Sequence, residues 1–139
     1  LVGNMVVMYP DLFSAAVCQV PLLDMRRYHL LLAGASWMAE YGNPDAEGEW
    51  DFIQTYSPYQ NIKASVKYPA VLFTTSTRDD RVHPGHARKM MALMYDQGHD
   101  VSYYENIEGG HGGAANNKQR AYMQALAYSF LKERLFPNK

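Results

Sequence analysis

The sequence predicts an α/β fold in which a mostly parallel sheet is flanked by helices. Residues 15–20 form a short, continuously apolar run, and residues 68–75 combine β-branched and aromatic side chains behind a proline. Runs of this kind are typical of strands covered on both faces. Strand-like and helix-like segments also alternate along the chain, which favours right-handed parallel crossovers. The strand predicted over residues 68–75 excludes an all-α bundle.

The first half of the chain combines a predicted helix with a long irregular segment. Residues 1–8 are apolar and stop at Tyr9-Pro10, as expected for a buried helix that ends ahead of a proline. Residues 21–61, after the first strand, are irregular and rich in aromatic and turn residues. Long segments between strands often carry binding surfaces. We therefore expect part of a binding surface in residues 21–61.

The second half alternates further strands and helices. Ala87, Met90 and Met94 recur at helical spacing, and Gly98 supplies a C-terminal stop, so a helix is predicted over residues 83–97. The segments that follow are a strand, a glycine-rich loop and a long amphipathic helix, over residues 101–106, 109–113 and 117–135.

Length and composition limit the classes of function. The 139 residues, 47% of them hydrophobic, suffice for one globular domain or the larger part of one. The formal net charge of −1 argues against nucleic acid or an anionic membrane as a partner. No apolar run reaches the roughly 18 to 20 residues of a membrane-spanning helix, so we expect a soluble chain, either cytoplasmic or periplasmic. Because the chain lacks an initiator Met, Leu1 is interpreted as an internal position of a longer protein.

No cofactor or metal site is predicted. The single cysteine, Cys18, lies in an apolar run and is interpreted as a buried structural thiol. Acidic residues alternate from Asp45 to Asp51 as in a calcium loop. However, Trp50 and Tyr56 occupy the positions where the EF-hand pattern has Gly and Glu. This segment is therefore interpreted as a solvated acidic loop.

Two predicted strand ends carry the candidate catalytic residues. Asp79, Asp80 and Arg81 follow the strand at residues 68–75, and His111 lies in the glycine-rich loop after the next strand. Reactive groups of parallel sheets collect beyond the carboxyl ends of the strands. An acid followed by a histidine on successive strand-end loops is also the order of an α/β-hydrolase triad. There the carboxylate fixes the imidazole tautomer and stabilises the imidazolium, and we expect the flanking glycines to supply φ values that other residues resist.

The chain itself offers only poor nucleophiles for such a triad. Ser36 precedes Asp79 and His111 in the required order, but Met38 stands where a nucleophile elbow needs a small residue. Cys18 has no elbow glycine beside it. The sequence therefore predicts a nucleophile outside residues 1–139.

Four short motifs occur in order over essentially the whole chain: Tyr9-Pro10-Asp11-Leu12-Phe13, Tyr56-Ser57-Pro58-Tyr59, Asp79-Asp80-Arg81-Val82 and Gly110-His111-Gly112. Together they resemble the catalytic domain of the prolyl oligopeptidase family, serine peptidase family S9. The resemblance implies that residues 1–139 are the C-terminal part of an α/β-hydrolase domain, normally paired with a β-propeller that limits access to short peptides. It also implies a serine about five residues before Leu1, so that the nucleophile elbow and the propeller are absent from these residues.

The resemblance further implies site residues and a substrate. Asp79 would be the triad acid and His111 the base, in a serine-type peptidase that hydrolyses bonds after proline in short peptides. The implied substrate-binding residues are Arg81, Trp37, Tyr41, Val82 and Leu22. Among them, Arg81 would bind a substrate carbonyl, and Trp37 would stack on the substrate proline, for which an apolar indole face is suited.

Two alternatives stay open from the sequence. The hydrolase could be an esterase or an oligopeptidase of another specificity, although Trp37 argues against a pocket for basic residues. The isolated chain could instead be a non-catalytic α/β module, and without a serine or oxyanion donors we expect it to be inactive. An exposed sheet edge in the isolated chain would also favour self-association.

Overall fold

Three parallel strands form the centre of the molecule, in a computed structural model that describes residues 1–136. The strands are β1 Ala15–Gln19, β2 Ala70–Ser76 and β3 Val101–Asn106, with β2 in the middle. Both β1 and β3 run parallel to β2, as the sequence predicts. All three carboxyl ends therefore lie at one edge of the sheet.

Helices flank the sheet and occupy the long connections. The α-helices described are α1 Val2–Met8, α2 Met38–Tyr41, α3 Glu49–Ile53, α4 Pro58–Asn61, α5 Gly85–Asp96 and α6 Asn117–Leu135. Short 3₁₀ helices lie at Pro10–Leu12, Tyr28–Leu30, Leu32–Trp37 and Gln54–Tyr56. Across residues 1–136, no helix has both the length and the apolar character needed to cross a membrane.

Different helices cover the two faces of the sheet. On one face, Phe73 of β2 packs in a cluster with Val6 of α1 and Met90 of α5. On the other face, Leu72 of β2 packs with Phe130 of α6. Successive strand residues point to opposite faces, and every residue of β2 is buried. This two-sided burial is why the first four residues of β2 are all apolar, while its last three are two threonines and a serine that are also buried.

Two predicted elements begin later than expected. β2 starts at Ala70, and Tyr68 lies outside it with its ring edge-on to His99, the centroids 4.9 Å apart. α5 starts at Gly85, because His83 lies in a turn in which its Nδ1 accepts a hydrogen bond from the Gly85 N–H at 2.9 Å. Tyr68 and His83 thus contact specific partners at positions where the sequence pattern predicted a strand and a helix.

The connection between β1 and β2 has an apolar centre of its own. Its buried residues are Met25, Tyr28 and Ile53, and the side chains packed against them include Leu22, Trp37, Met38, Tyr41, Trp50 and Tyr56. We call these residues the excursion cluster. The segment predicted as irregular is therefore a packed layer built from short helices.

Candidate active site

Asp79 and His111 meet at the carboxyl edge of the sheet. Asp79 follows β2, and His111 lies in the loop between β3 and α6. The Nδ1 atom of His111 is 3.1 Å from Oδ1 and 3.0 Å from Oδ2 of Asp79. Asp79 is only 4% exposed, whereas the His111 side chain is 34% exposed. One ring nitrogen is thus held by a buried acid while the ring reaches solvent.

Backbone hydrogen bonds fix the carboxylate of Asp79. Its Oδ1 accepts from the N–H groups of Arg81 and Val82, each at 2.9 Å. Its own N–H donates to the Ser76 carbonyl at 3.3 Å, which closes a tight turn. An ionised carboxylate only accepts hydrogen bonds, so it pairs with His111 when Nδ1 carries the ring proton. The neutral ring then has Nε2 available as an acceptor.

The loop that carries His111 is anchored to two strands. The side-chain oxygen of Asn106 accepts from the N–H groups of Glu108 and Gly109, at 2.9 and 3.0 Å. The hydroxyl of Ser76 donates to the Gly113 carbonyl at 3.0 Å. Asn106 and Ser76 are both buried. The two ends of the loop are therefore held against β3 and β2.

The glycines around His111 differ from what the sequence led us to expect. Of the four, only Gly113 has a positive φ, of +81°, so the expectation was wrong for the other three. A Cβ on Gly109 would lie 2.4 Å from the Gly113 carbonyl oxygen, so Gly109 is required for close backbone approach. A Cβ on Gly112 would meet nothing, and one on Gly110 would make an ordinary contact. The loop needs the left-handed conformation at one position only.

Two cavities adjoin at the end of β1. One of about 100 Å³ lies beside His111, and one of about 300 Å³ is lined in part by Leu22 and Tyr41. Gln19 and Val20 line both cavities. Val20 has a φ of +40°, rare for a β-branched residue, and its N–H donates to a β2 carbonyl at 2.7 Å. Sequence reasoning missed Gln19 and Val20, because a valine before a proline favours extended backbone and gives no signal for a left-handed residue.

The predicted substrate-binding residues fall into two groups near the carboxyl edge of the sheet. Arg81 is exposed and Val82 is buried, both in the turn around Asp79. Leu22 and Tyr41 line the larger cavity. Trp37 is partly buried against the excursion cluster and lines neither of the two cavities as described. The structure thus brings the turn around Asp79 together with His111. It groups Leu22, Trp37 and Tyr41 separately, in the excursion cluster.

The residues considered as alternative sites have other partners. Ser36 lies in the 3₁₀ helix Leu32–Trp37 and its hydroxyl donates to a carbonyl of the same turn at 2.6 Å, so it is not in a strand-to-helix elbow. Asp45 pairs with Nε2 of His29 at 2.7 Å. Burial raises the pKa of the Cys18 thiol to about 12, and a protonated thiol is a poor nucleophile.

Comparison with known proteins identifies the family. Residues 1–137 match the model of the prolyl oligopeptidase family. The chain belongs to this family. Among curated relatives, the uncharacterized peptidase y4nA of Sinorhizobium fredii is 52% identical over 139 residues, which are 100% of this chain and 19% of the relative. The prolyl endopeptidase of Elizabethkingia miricola is 37% identical over 134 residues, 94% of this chain and 19% of that protein.

Solved structures of the prolyl oligopeptidase family share the fold. A post-proline cleaving enzyme from Rickettsia typhi aligns with a TM-score of 0.93 and 36% identity, over 96% of this chain and 20% of that chain. The predicted fold, a parallel sheet flanked by helices as in the α/β-hydrolase domain of this family, is confirmed. The chain spans about a fifth of the length of the relatives it matches.

Proposed function

We propose that residues 1–139 supply the acid and base of a serine-type peptidase, whose longer chain hydrolyses peptide bonds after proline in short peptides. The observation that carries the proposal is the contact between Asp79 and Nδ1 of His111 at the carboxyl edge of a parallel sheet. Membership of the prolyl oligopeptidase family supports the reaction class. The names of the relatives, a prolyl endopeptidase and a post-proline cleaving enzyme, support the substrate.

In this proposal His111 is the general base. Its Nε2, unprotonated while Asp79 holds the proton on Nδ1, removes the proton of a serine hydroxyl as that oxygen attacks the substrate carbonyl. The carboxylate of Asp79 stabilises the imidazolium that results. Nε2 then donates the proton to the leaving amine, and an acyl-enzyme remains. Water hydrolyses that intermediate by the same proton transfers, which regenerates the serine.

The serine is proposed to precede α1, in an elbow outside the chain, and the propeller is proposed to lie outside it as well. The first residues, 1–4, line the larger cavity together with Leu22 and Tyr41, which supports this placement. A serine just ahead of α1 would therefore stand beside the proposed substrate pocket. The smaller cavity, beside His111, adjoins the same pocket through Gln19 and Val20.

The larger cavity is proposed to hold the substrate proline. Leu22, Met25, Tyr41 and Tyr56 contribute apolar surface to it, and no acidic or basic side chain within residues 1–136 lines it. Asn4 and Gln19 add polar groups to the lining, but an uncharged wall with apolar surface suits a pyrrolidine ring better than a charged side chain. The family resemblance adds Arg81, Val82 and Trp37 to the proposal as substrate-binding residues, with Arg81 binding a substrate carbonyl. Trp37 does not line this cavity, so its stacking on the proline ring requires the ring to reach beyond the cavity toward the excursion cluster.

The test uses a longer protein that includes the segment before Leu1, assayed with a chromogenic peptide that has proline before the scissile bond. Replacing the base by His111→Ala, or the acid by Asp79→Ala, should lower kcat by about 10³-fold or more. Asp80→Ala is the matched control, since Asp80 is the exposed neighbouring carboxylate, and it should retain activity. Activity that survives both triad substitutions refutes the assignment. Faster turnover of arginine peptides or acyl esters would indicate another specificity.

We further propose that the isolated chain is inactive and self-associates. β1 is an edge strand of the sheet described for residues 1–136, and unpaired edges recruit further strands. An apolar hollow of about 150 Å³, lined by Leu1, Val2, Met5 and Phe13 among others, adjoins Ala16 of β1. Sedimentation velocity of residues 1–139 should show dimers or larger species. A monomer that persists as concentration rises contradicts this proposal.

A further inference from the structure

Two tyrosine hydroxyls hold the carboxyl end of α2. The last carbonyls of a helix have no partner within the helix. The hydroxyl of Tyr56 donates to the carbonyl of Tyr41 at 3.1 Å, and the hydroxyl of Tyr28 donates to the carbonyl of Gly42. Tyr41 is the last residue of α2, and Gly42, with a φ of +89°, turns the chain away. Two consecutive carbonyls are thus bound from outside the helix.

The position of α2 depends on these contacts. The helix has four residues, and so short a helix is not stable alone. The ring of Tyr28 is fully buried and meets the ring of Tyr41 edge-on, with centroids 5.9 Å apart. Tyr28 therefore binds α2 through both its ring and its hydroxyl. Tyr56, from the 3₁₀ helix at the end of α3, binds it from a different segment.

Both hydroxyls remain donors over the range of pH in which the site would work. Burial raises the pKa of Tyr28, and it also raises the pKa of Tyr56. Neither phenol therefore ionises near neutral pH. Because a carbonyl oxygen can only accept, each hydrogen bond needs the phenolic proton. Removal of the hydroxyl oxygen is consequently the smallest change that abolishes each contact.

α2 forms part of the wall of the larger cavity. Tyr41 and Tyr56 both line that cavity, and Trp37 immediately precedes α2. A displacement of α2 would move Tyr41 and Trp37 together. Asp79 and His111 are held separately, at the ends of β2 and β3. The two hydroxyls therefore act on the pocket wall and not on the acid and base.

We propose that Tyr28 and Tyr56 are positioning residues that set the preference for proline before the scissile bond. The inference rests on the proposed function and deepens it, by naming the groups that keep the proline pocket in shape. When one of the two hydroxyls is removed, one carbonyl at the end of α2 loses its partner, and α2 becomes more mobile in the wall of the cavity. A rigid proline ring depends on close apolar contact, so it loses more binding than a small alanine side chain does.

The test compares Tyr28→Phe and Tyr56→Phe in the longer protein, since each change removes one oxygen and keeps the ring. Tyr95→Phe is the matched control, because Tyr95 is 67% exposed on α5. KM and kcat are measured for paired peptides with proline or alanine before the scissile bond. We expect KM for the proline peptide to rise about five- to tenfold in both tyrosine variants, the equivalent of one lost hydrogen bond. Values of kcat, and both constants of the control, should stay within about twofold.

Amide hydrogen exchange provides a readout that does not depend on turnover. Residues 38–43 should exchange faster in the two variants, whereas β2 should not change. Faster exchange with a reduced proline-to-alanine ratio of kcat/KM supports the inference. An unchanged ratio, with the wild-type protein active on the proline peptide, overturns it and leaves the proposed function standing. Equal loss of kcat on both peptides also overturns it, because general loosening would give that result. Absence of wild-type hydrolysis overturns both.

Discussion

His86 should make the free energy of unfolding depend on pH between about 6.5 and 4, a range above the one in which the carboxylates titrate. The side chain is 1% exposed on α5, and its Nδ1 accepts a hydrogen bond from the Asp24 N–H at 3.1 Å. Burial lowers the pKa of His86 from 6.5 to about 4. The charge of Asp24 opposes this shift, whereas His83 and Lys89 add to it. The ring is therefore neutral in the folded chain near neutral pH.

The size and sign of the effect follow from linkage. Between pH 6.5 and about 4, the unfolded chain binds a proton at His86 and the folded chain does not. Stability therefore falls as pH decreases through this window. The difference between the two pKa values corresponds to about 3 kcal/mol, which is present in full above pH 6.5 and lost by about pH 4. Protonation of Nδ1 would also replace this hydrogen bond by a contact between two donors, the N–H of His86 Nδ1 and the backbone N–H of Asp24.

Urea unfolding measured between pH 7.5 and 4 tests this prediction. In His86→Asn the amide oxygen can still accept from the Asp24 N–H but does not titrate. We expect the wild-type free energy of unfolding to fall by about 3 kcal/mol more than that of the variant. Carboxylates with low pKa values, such as Glu105 at about 2, contribute equally to both proteins. Parallel curves for the two proteins would refute the reasoning.

Two further predictions concern the loop that carries His111 and the buried carboxylate of Asp24. Gly109→Ala should destabilise the chain by about 1 to 3 kcal/mol, because its Cβ would lie 2.4 Å from the Gly113 carbonyl oxygen, whereas Gly112→Ala should be nearly neutral. Equal Tm values for the two variants would contradict this. Lys89→Met should also cost about 1 to 3 kcal/mol, because it removes a partner from the buried carboxylate of Asp24. Burial alone would raise the pKa of Asp24, but its hydrogen-bond partners hold that pKa below the usual value. Adding Asp24→Asn should cost less than the sum of the single changes, and strict additivity would count against the pairing.

The sheet could be predicted because its burial leaves a pattern in the sequence. β2 is covered on both faces, so residues 70–76 are almost uninterruptedly apolar or β-branched. β1 is also mostly apolar, although only Ala16 and Cys18 are buried in it. The meeting of Asp79 and His111 followed from topology, because parallel strands end at one edge. The family motifs then indicated which of several acidic residues faces the histidine.

The architecture of residues 21–61 could not be predicted in the same way. Its helices are short, so no periodic pattern extends far enough to identify them. The contacts that order it join distant positions, as when the Tyr56 hydroxyl binds the Tyr41 carbonyl. The left-handed conformation of Val20 was missed because it too depends on a contact between distant positions, the hydrogen bond from its N–H to a β2 carbonyl. It is imposed by the exit from the sheet and not by the propensity of valine.

The most direct test of the account asks whether Asp79 and His111 act as one unit. The value of kcat on a proline peptide would be measured in the longer protein for His111→Ala, Asp79→Ala and the double variant. Because the acid acts only through the ring it contacts at 3.0 Å, the double variant should be no slower than His111→Ala alone. Losses that multiply in the double variant would show that the two residues act independently, and would contradict the account.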